Sequence, residues 1–175
     1  MRRWVFLGVA IFAGLAVVYL VLLRSSSVAP RLVAPSPTSV IGSGEDAVGV
    51  SAIGVILAWQ PAPEEGSLPR LPLSELPENG RLAGPMLQQA RVLGGAPPAL
   101  RPYVASSYYG ESGVDVELTS GIELRFGDAS RIDEKWQAAA TVLADPSITA
   151  LDYVDLHAPR HPSIYGEGHT LPPVS

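Results

Sequence analysis

Trp4 to Leu23 runs for twenty residues without a charge. At ~1.5 Å of rise per residue, a helix of that length spans the ~30 Å hydrocarbon layer of a bilayer. In lipid every backbone group must find its partner within the segment, so the run reads as one transmembrane helix over residues 4–23. It leaves a cytoplasmic start (1–3), a linker (24–47), an extracytoplasmic folded region (48–165) and a flexible tail (166–175). Arg2 and Arg3 precede the span and Arg24 stands alone behind it. The positive-inside bias therefore places the C-terminus outside the cytoplasmic membrane, as a single-pass protein. Trp4 and Tyr19 fall near the two interfaces, where amphipathic rings are favoured. A cleaved secretory signal is the competing reading. Its apolar core is commonly ~7–15 residues, and here Pro30 directly follows the cleavable-looking Ser27-Val28-Ala29. Ala10 and Gly14 form a small-xxx-small pair, common in any membrane helix.

Composition narrows what the outer part does. There are no cysteines, which excludes disulfides, thiolate catalysis and zinc-thiolate sites. With Arg2 and Arg3 inside, 10 basic residues stand against 17 acidic ones outside, a net charge of −7. Such a surface has no reason to grip a phosphate backbone or an anionic lipid face. Residues 24–46 hold Ser, Pro, Ala and Gly with little periodicity and read as a tether.

Beyond the tether the pattern is α+β. Val48 to Trp59 is rich in β-branched residues and predicts one or two strands, closed by Pro61 and Pro63. Pro85 opens a short helix through Met86, Leu87, Ala90 and Leu93, ended by Gly94-Gly95. Pro97 and Pro98 start a helical turn toward Tyr103, and residues 103–109 are read as extended. Val114, Val116 and Leu118 alternate with Asp115 and Glu117; after Thr119-Ser120-Gly121, Ile122, Leu124 and Phe126 alternate with Glu123 and Arg125. This predicts a hairpin with Gly121 left-handed in a three-residue loop. The register pairs Leu118 with Ile122, Val116 with Leu124 and Val114 with Phe126 on one face, and Asp115 with Arg125 and Glu117 with Glu123 on the other. Ser130 caps a helix in which Ile132, Trp136, Ala139, Ala140 and Leu143 make one apolar stripe. Pro146 stops it, and residues 151–156 return as a strand. The expected architecture is a mainly antiparallel sheet with a helix packed on one face.

Catalytic groups do not assemble in this pattern. His157, His161 and His169 are the only histidines and occupy a proline-rich tail, so they read as solvent-exposed side chains and not as metal ligands. Asp152 and Asp155 are three apart in a strand and project to opposite faces. Ser106 and Ser107 lack a nucleophile-elbow context, and Gly42-Ser43-Gly44 lacks the frame of a phosphate loop. Trp136 reads as packing, Glu64-Glu65 as a solvated turn and Lys135, the only lysine, as a helix-surface residue. No cofactor, metal or small-molecule substrate is expected.

A short cytoplasmic start, one anchor and an outer domain closing in hairpin, helix and strand resemble the bacterial FtsQ/DivIB cell-division family. The residues that carry the likeness are 121–127 (GIELRFG), Lys135 in the following helix, and 151–156 (LDYVDL) with Pro159 and Pro162 behind it; Leu68-Pro69 and Leu71-Pro72 are similar to the family's proline-containing entry into its β domain. The resemblance implies a non-enzymatic adaptor of the divisome at the septum, which recruits the FtsB–FtsL pair outside the membrane. It implies partner binding through Tyr153, Asp155, Leu156, Ser163, Ile164 and Tyr165, an exposed terminal strand edge accepting another strand. The family carries a POTRA domain between anchor and β domain. Residues 24–47 fall short of the ~50 of even a small domain, so a shortened member is expected. A membrane-anchored envelope hydrolase, or a degenerate or truncated division protein, are the alternatives.

Overall fold

The computed structural model describes residues 34–73 and 75–171. The expected span at 4–23 lies outside them; among the described residues no helix is long and apolar enough to cross a membrane. Residues from Pro35 onward form one compact unit.

Seven strands and two helices follow in the order β1 (Pro37–Ile41), β2 (Val48–Ser51), α1 (Gly84–Gly94), β3 (Val104–Gly110), β4 (Gly113–Leu118), β5 (Glu123–Gly127), α2 (Ile132–Leu143), β6 (Ala150–Asp155) and β7 (Ser163–Thr170). β1 and β2 pair as an antiparallel ribbon, and β3-β4-β5-β6-β7 form a five-stranded sheet in that spatial order. Arg70 joins the two by parallel bridges to Val40 and to Ser106. The sheet is antiparallel except for β5 and β6, which run parallel with α2 as their crossover.

The hairpin forms in the expected register. Val116 faces Leu124, Asp115 faces Arg125 and Glu117 faces Glu123. The Leu118 N–H donates to the Ile122 carbonyl at 2.9 Å, and Gly121 sits at φ +88° in the loop. A bulge then sets Val114 opposite Gly127, one residue beyond the expected Phe126. The backbones come close beside the bulge: a Cβ on Gly113 would lie 2.3 Å from the Gly127 carbonyl oxygen, so this approach requires glycine.

One face of the sheet carries the core. Val116, Leu124, Phe126 and Val154 are fully buried on it. α2 lays Trp136 against Phe126, with ring centroids 4.8 Å apart. The Trp136 indole N–H donates to the Val92 carbonyl of α1 at 2.7 Å, so both helices cover the same face. Ser107 of β3 donates its hydroxyl to the buried Gln89 amide oxygen of α1 at 3.0 Å.

Four expectations are corrected. The linker does not reach residue 47: β1 lies inside it, with Ser39 and Ile41 buried. The tail does not begin at 166: β7 runs to Thr170. Ser130 does not cap α2; its N–H and hydroxyl bond the Asp128 carboxylate, and Arg131 at φ 48° is the cap position. Lys135 is not on the surface. It is 1% exposed, and its ammonium donates to the Phe126 carbonyl at 2.7 Å, the Asp128 carbonyl at 2.8 Å and the Asp128 carboxylate at 2.8 Å. The ammonium ties the end of β5 to the first turn of α2.

Candidate functional site

Among the described residues no helix packs on the second face of the five-stranded sheet. Alternation along each strand sends two cross-strand rows to this side. One row is Tyr108, Asp115, Arg125, Asp155 and Ser163; the other is Ser106, Glu117, Glu123, Tyr153 and Tyr165. The rows interlock. Tyr108 donates its hydroxyl to the Glu123 carboxylate. Arg125 donates its Nε–H to the other oxygen of Glu123 and places its guanidinium 3.6 Å over the Tyr153 ring. Tyr153 in turn stacks on Tyr165, with centroids 5.3 Å apart and planes inclined by 24°. Glu117, directly across from Glu123, accepts from the Ser106 hydroxyl at 3.2 Å.

The electrostatics of this face follow from crowding of acids around one guanidinium. Burial raises the Asp115 carboxyl above its ordinary value, and Glu123 adds to the rise. Burial also acts upward on Glu123, but hydrogen bonds from Tyr108 and Arg125 carry its pKa below the usual value. Asp155 is likewise held low against its burial, because the His157 N–H donates to it at 2.9 Å and the His157 ring lies 2.7 Å away.

Of the residues expected at the partner site, Tyr153 and Asp155 lie on this open face of β6. Ser163 and Tyr165 extend it onto β7, and all of Ser163, Ile164 and Tyr165 are exposed. Leu156 is a correction. It is fully buried, and its N–H donates to the Arg125 carbonyl at 2.9 Å, so it closes the core and is out of reach of a partner. β6 is also not the free edge, because β5 flanks it on one side and β7 on the other. The last strand in the order is β7, and among the described residues no further strand pairs with it.

β7 is straight only at its start. Ser163, Ile164 and Tyr165 face Asp155, Val154 and Tyr153 one to one, then Gly166, Glu167 and Gly168 together oppose Asp152. The Gly168 N–H donates to the Asp152 carboxylate at 3.1 Å. A Cβ on Gly166, at φ +87°, would fall 1.8 Å from an Asp152 oxygen, so this bulge requires glycine. Asp152 and Asp155 therefore serve different partners, one the bulge and the other His157. Among the described residues no group of three or more histidines or carboxylates is placed to hold a metal ion.

Tyr108, Glu123 and Arg125 were not singled out by sequence reasoning. Their signal was present: the alternation that buries Leu124 and Phe126 puts Glu123 and Arg125 side by side on the other face.

No curated protein matches the chain. The family described as cell division protein FtsQ/DivIB, C-terminal, matches residues 41–157, from the end of β1 past the end of β6, with β7 lying beyond the matched stretch. That match takes in β2 to β6, both helices and the β5–α2–β6 crossover, and the chain belongs to the FtsQ/DivIB cell-division family.

Proposed function

We propose that the chain is a non-enzymatic adaptor of the divisome, held at the cytoplasmic membrane by residues 4–23 and displaying its sheet outside. It recruits FtsB/FtsL-like proteins at the septum by taking a partner segment as an additional strand along the outer edge of β7. The observation that carries this reading is the position of β7: it ends the sheet among the described residues, presents Ser163 and Tyr165 exposed on the face of the stacked Tyr153, and presents Ile164 exposed on the other face. An edge strand offers a row of backbone donors and acceptors that another chain satisfies. Exposed Tyr and Ile then supply the anchors that such interfaces use. Among the described residues no helix covers the open face, which leaves room for side chains of the incoming strand.

Two measurements test it. A fluorescent fusion of the full chain is expected as a midcell band; uniform membrane signal counts against a septal role. In a capture assay with an FtsB-like segment, Tyr165→Ala or Ile164→Asp is expected to weaken binding at least tenfold. Both side chains are largely exposed, at 63% and 47%, so thermal stability should hardly change. Undiminished capture by both variants removes β7 as the site.

A further inference from the structure

Resting on the strand-addition reading, we propose that the captured segment carries an arginine or lysine opposite Tyr165, and that this cation on the outer ring face of Tyr165 selects the partner and fixes its register. Across the open face the interacting groups follow one another from β5 to β7. Glu123 binds Arg125, Arg125 of β5 lies 3.6 Å over the Tyr153 ring, and Tyr165 of β7, from the other flank of β6, stacks on that ring at 5.3 Å. Tyr165 is then the last ring, 63% exposed on the last strand. A cation continues the alternation, because the ring face is the negative pole of the aromatic quadrupole. A residue directly across an antiparallel ladder has its Cβ ~4.5–5.5 Å away, which brings a guanidinium or ammonium within reach of the ring.

Charge supports the same sign. Asp115, Glu117, Glu123 and Asp155 share the face with Arg125, which Glu123 already engages, while Arg70 lies at the distant β3 edge, bridged to Ser106. An acidic residue on the incoming strand meets that excess of carboxylates, while a basic one offsets it. Register follows from geometry. Ser163 to Tyr165 is a straight run of three residues before the Gly166–Gly168 bulge interrupts the edge, so few backbone pairs hold the incoming strand in place. One directional side-chain contact then decides between neighbouring registers, since a slip by one residue turns every side chain to the other face.

The test is a double-mutant cycle on the full chain in detergent. The probes are fluorescein-labelled synthetic peptides of an FtsB-like extracytoplasmic segment, with each Arg or Lys changed to Leu in turn. Against the wild-type chain, one of these changes is expected to weaken binding about tenfold, the scale of a partly desolvated cation–π contact. Against Tyr165→Leu the same change is expected to cost less than twofold, and Tyr165→Phe should behave as wild type. If every basic residue is replaceable, or if the same replacement costs as much with Tyr165→Leu, the cation is elsewhere and this inference fails while strand capture stands. If the unmodified peptide does not bind at all, strand capture itself fails and the inference with it.

Discussion

Lys135 shows how much one side chain organises here. Its ammonium is buried and reaches two backbone carbonyls and one carboxylate across the β5–α2 junction. Hydrogen bonds from it hold Asp128 well below the usual carboxylate range, with Ser130 adding to the effect. Lys135→Met keeps the stem packed but leaves the Phe126 carbonyl without its donor. Losing a charge-assisted bond of this kind costs about 2 kcal/mol, read as a lowered urea midpoint. Asp128 and Asp115 then pull stability with pH in opposite directions. Asp128 is lowered on folding, so its contribution is present above the unfolded carboxylate pKa and fades as pH falls through that value toward the folded one. Asp115 is raised by burial, so its penalty is absent in acid and complete once pH exceeds its folded pKa. Asp115→Asn is therefore expected to stabilise the protein at pH 7, with the advantage over wild type vanishing below about pH 4, where the native carboxyl is protonated too. A constant difference across that range contradicts the assignment. Neither burial was legible in the sequence. A lone lysine on a helix defaults to solvent, and its carbonyl partners come from the backbone, which leaves no residue pattern.

At the scale of elements, period-two alternation made the β4–β5 hairpin readable almost to the residue, because one face had to be apolar to meet α2. The stripe through Trp136 and Leu143 was equally readable, as 3.6-residue spacing with a proline stop. β1 and β7 were not. Pro37–Ile41 is short and sits in a proline- and serine-rich context, and it becomes a strand through pairing with β2, with Val40 also bonded to Pro69 and Leu71. β7 buries little and contains two glycines, which depress any strand propensity read locally. Those glycines are structural. Gly166→Ala is expected to clash with Asp152 and to release β7 from β6. Hydrogen exchange should then lose protection over residues 163–170 while β4 and β5 keep theirs. If protection at β7 survives, the bulge accommodates a side chain after all.

The whole domain is asymmetric at its two ends, and that asymmetry is what the functional reading uses. Beyond β2 the chain folds back on itself: Val50 bridges Ile56, Val55 bridges Arg81, and the Leu82 N–H bonds the Gly54 carbonyl at 2.8 Å. That edge is spoken for by the protein's own backbone. The β7 end is bare among the described residues, and β7 itself adds almost nothing to the core, since seven of its eight residues are exposed and one is half-buried. The sequence reading assigned the free edge to β6, because the return of β7 across residues 157–162 depends on a tertiary hairpin that no local pattern announces. Ending the chain at Pro162 separates the two possibilities. β5, β6 and both helices keep their packing, so cooperative unfolding is expected to persist, with stability lowered by a few kcal/mol for the lost ladder bonds. Capture of an FtsB-like segment is expected to disappear, because Ile164 and Tyr165 leave with β7 and Tyr153 loses its stacking partner. If the shortened chain instead binds as well or better, β7 is a plug over the β6 edge, and the partner strand takes its place in the sheet.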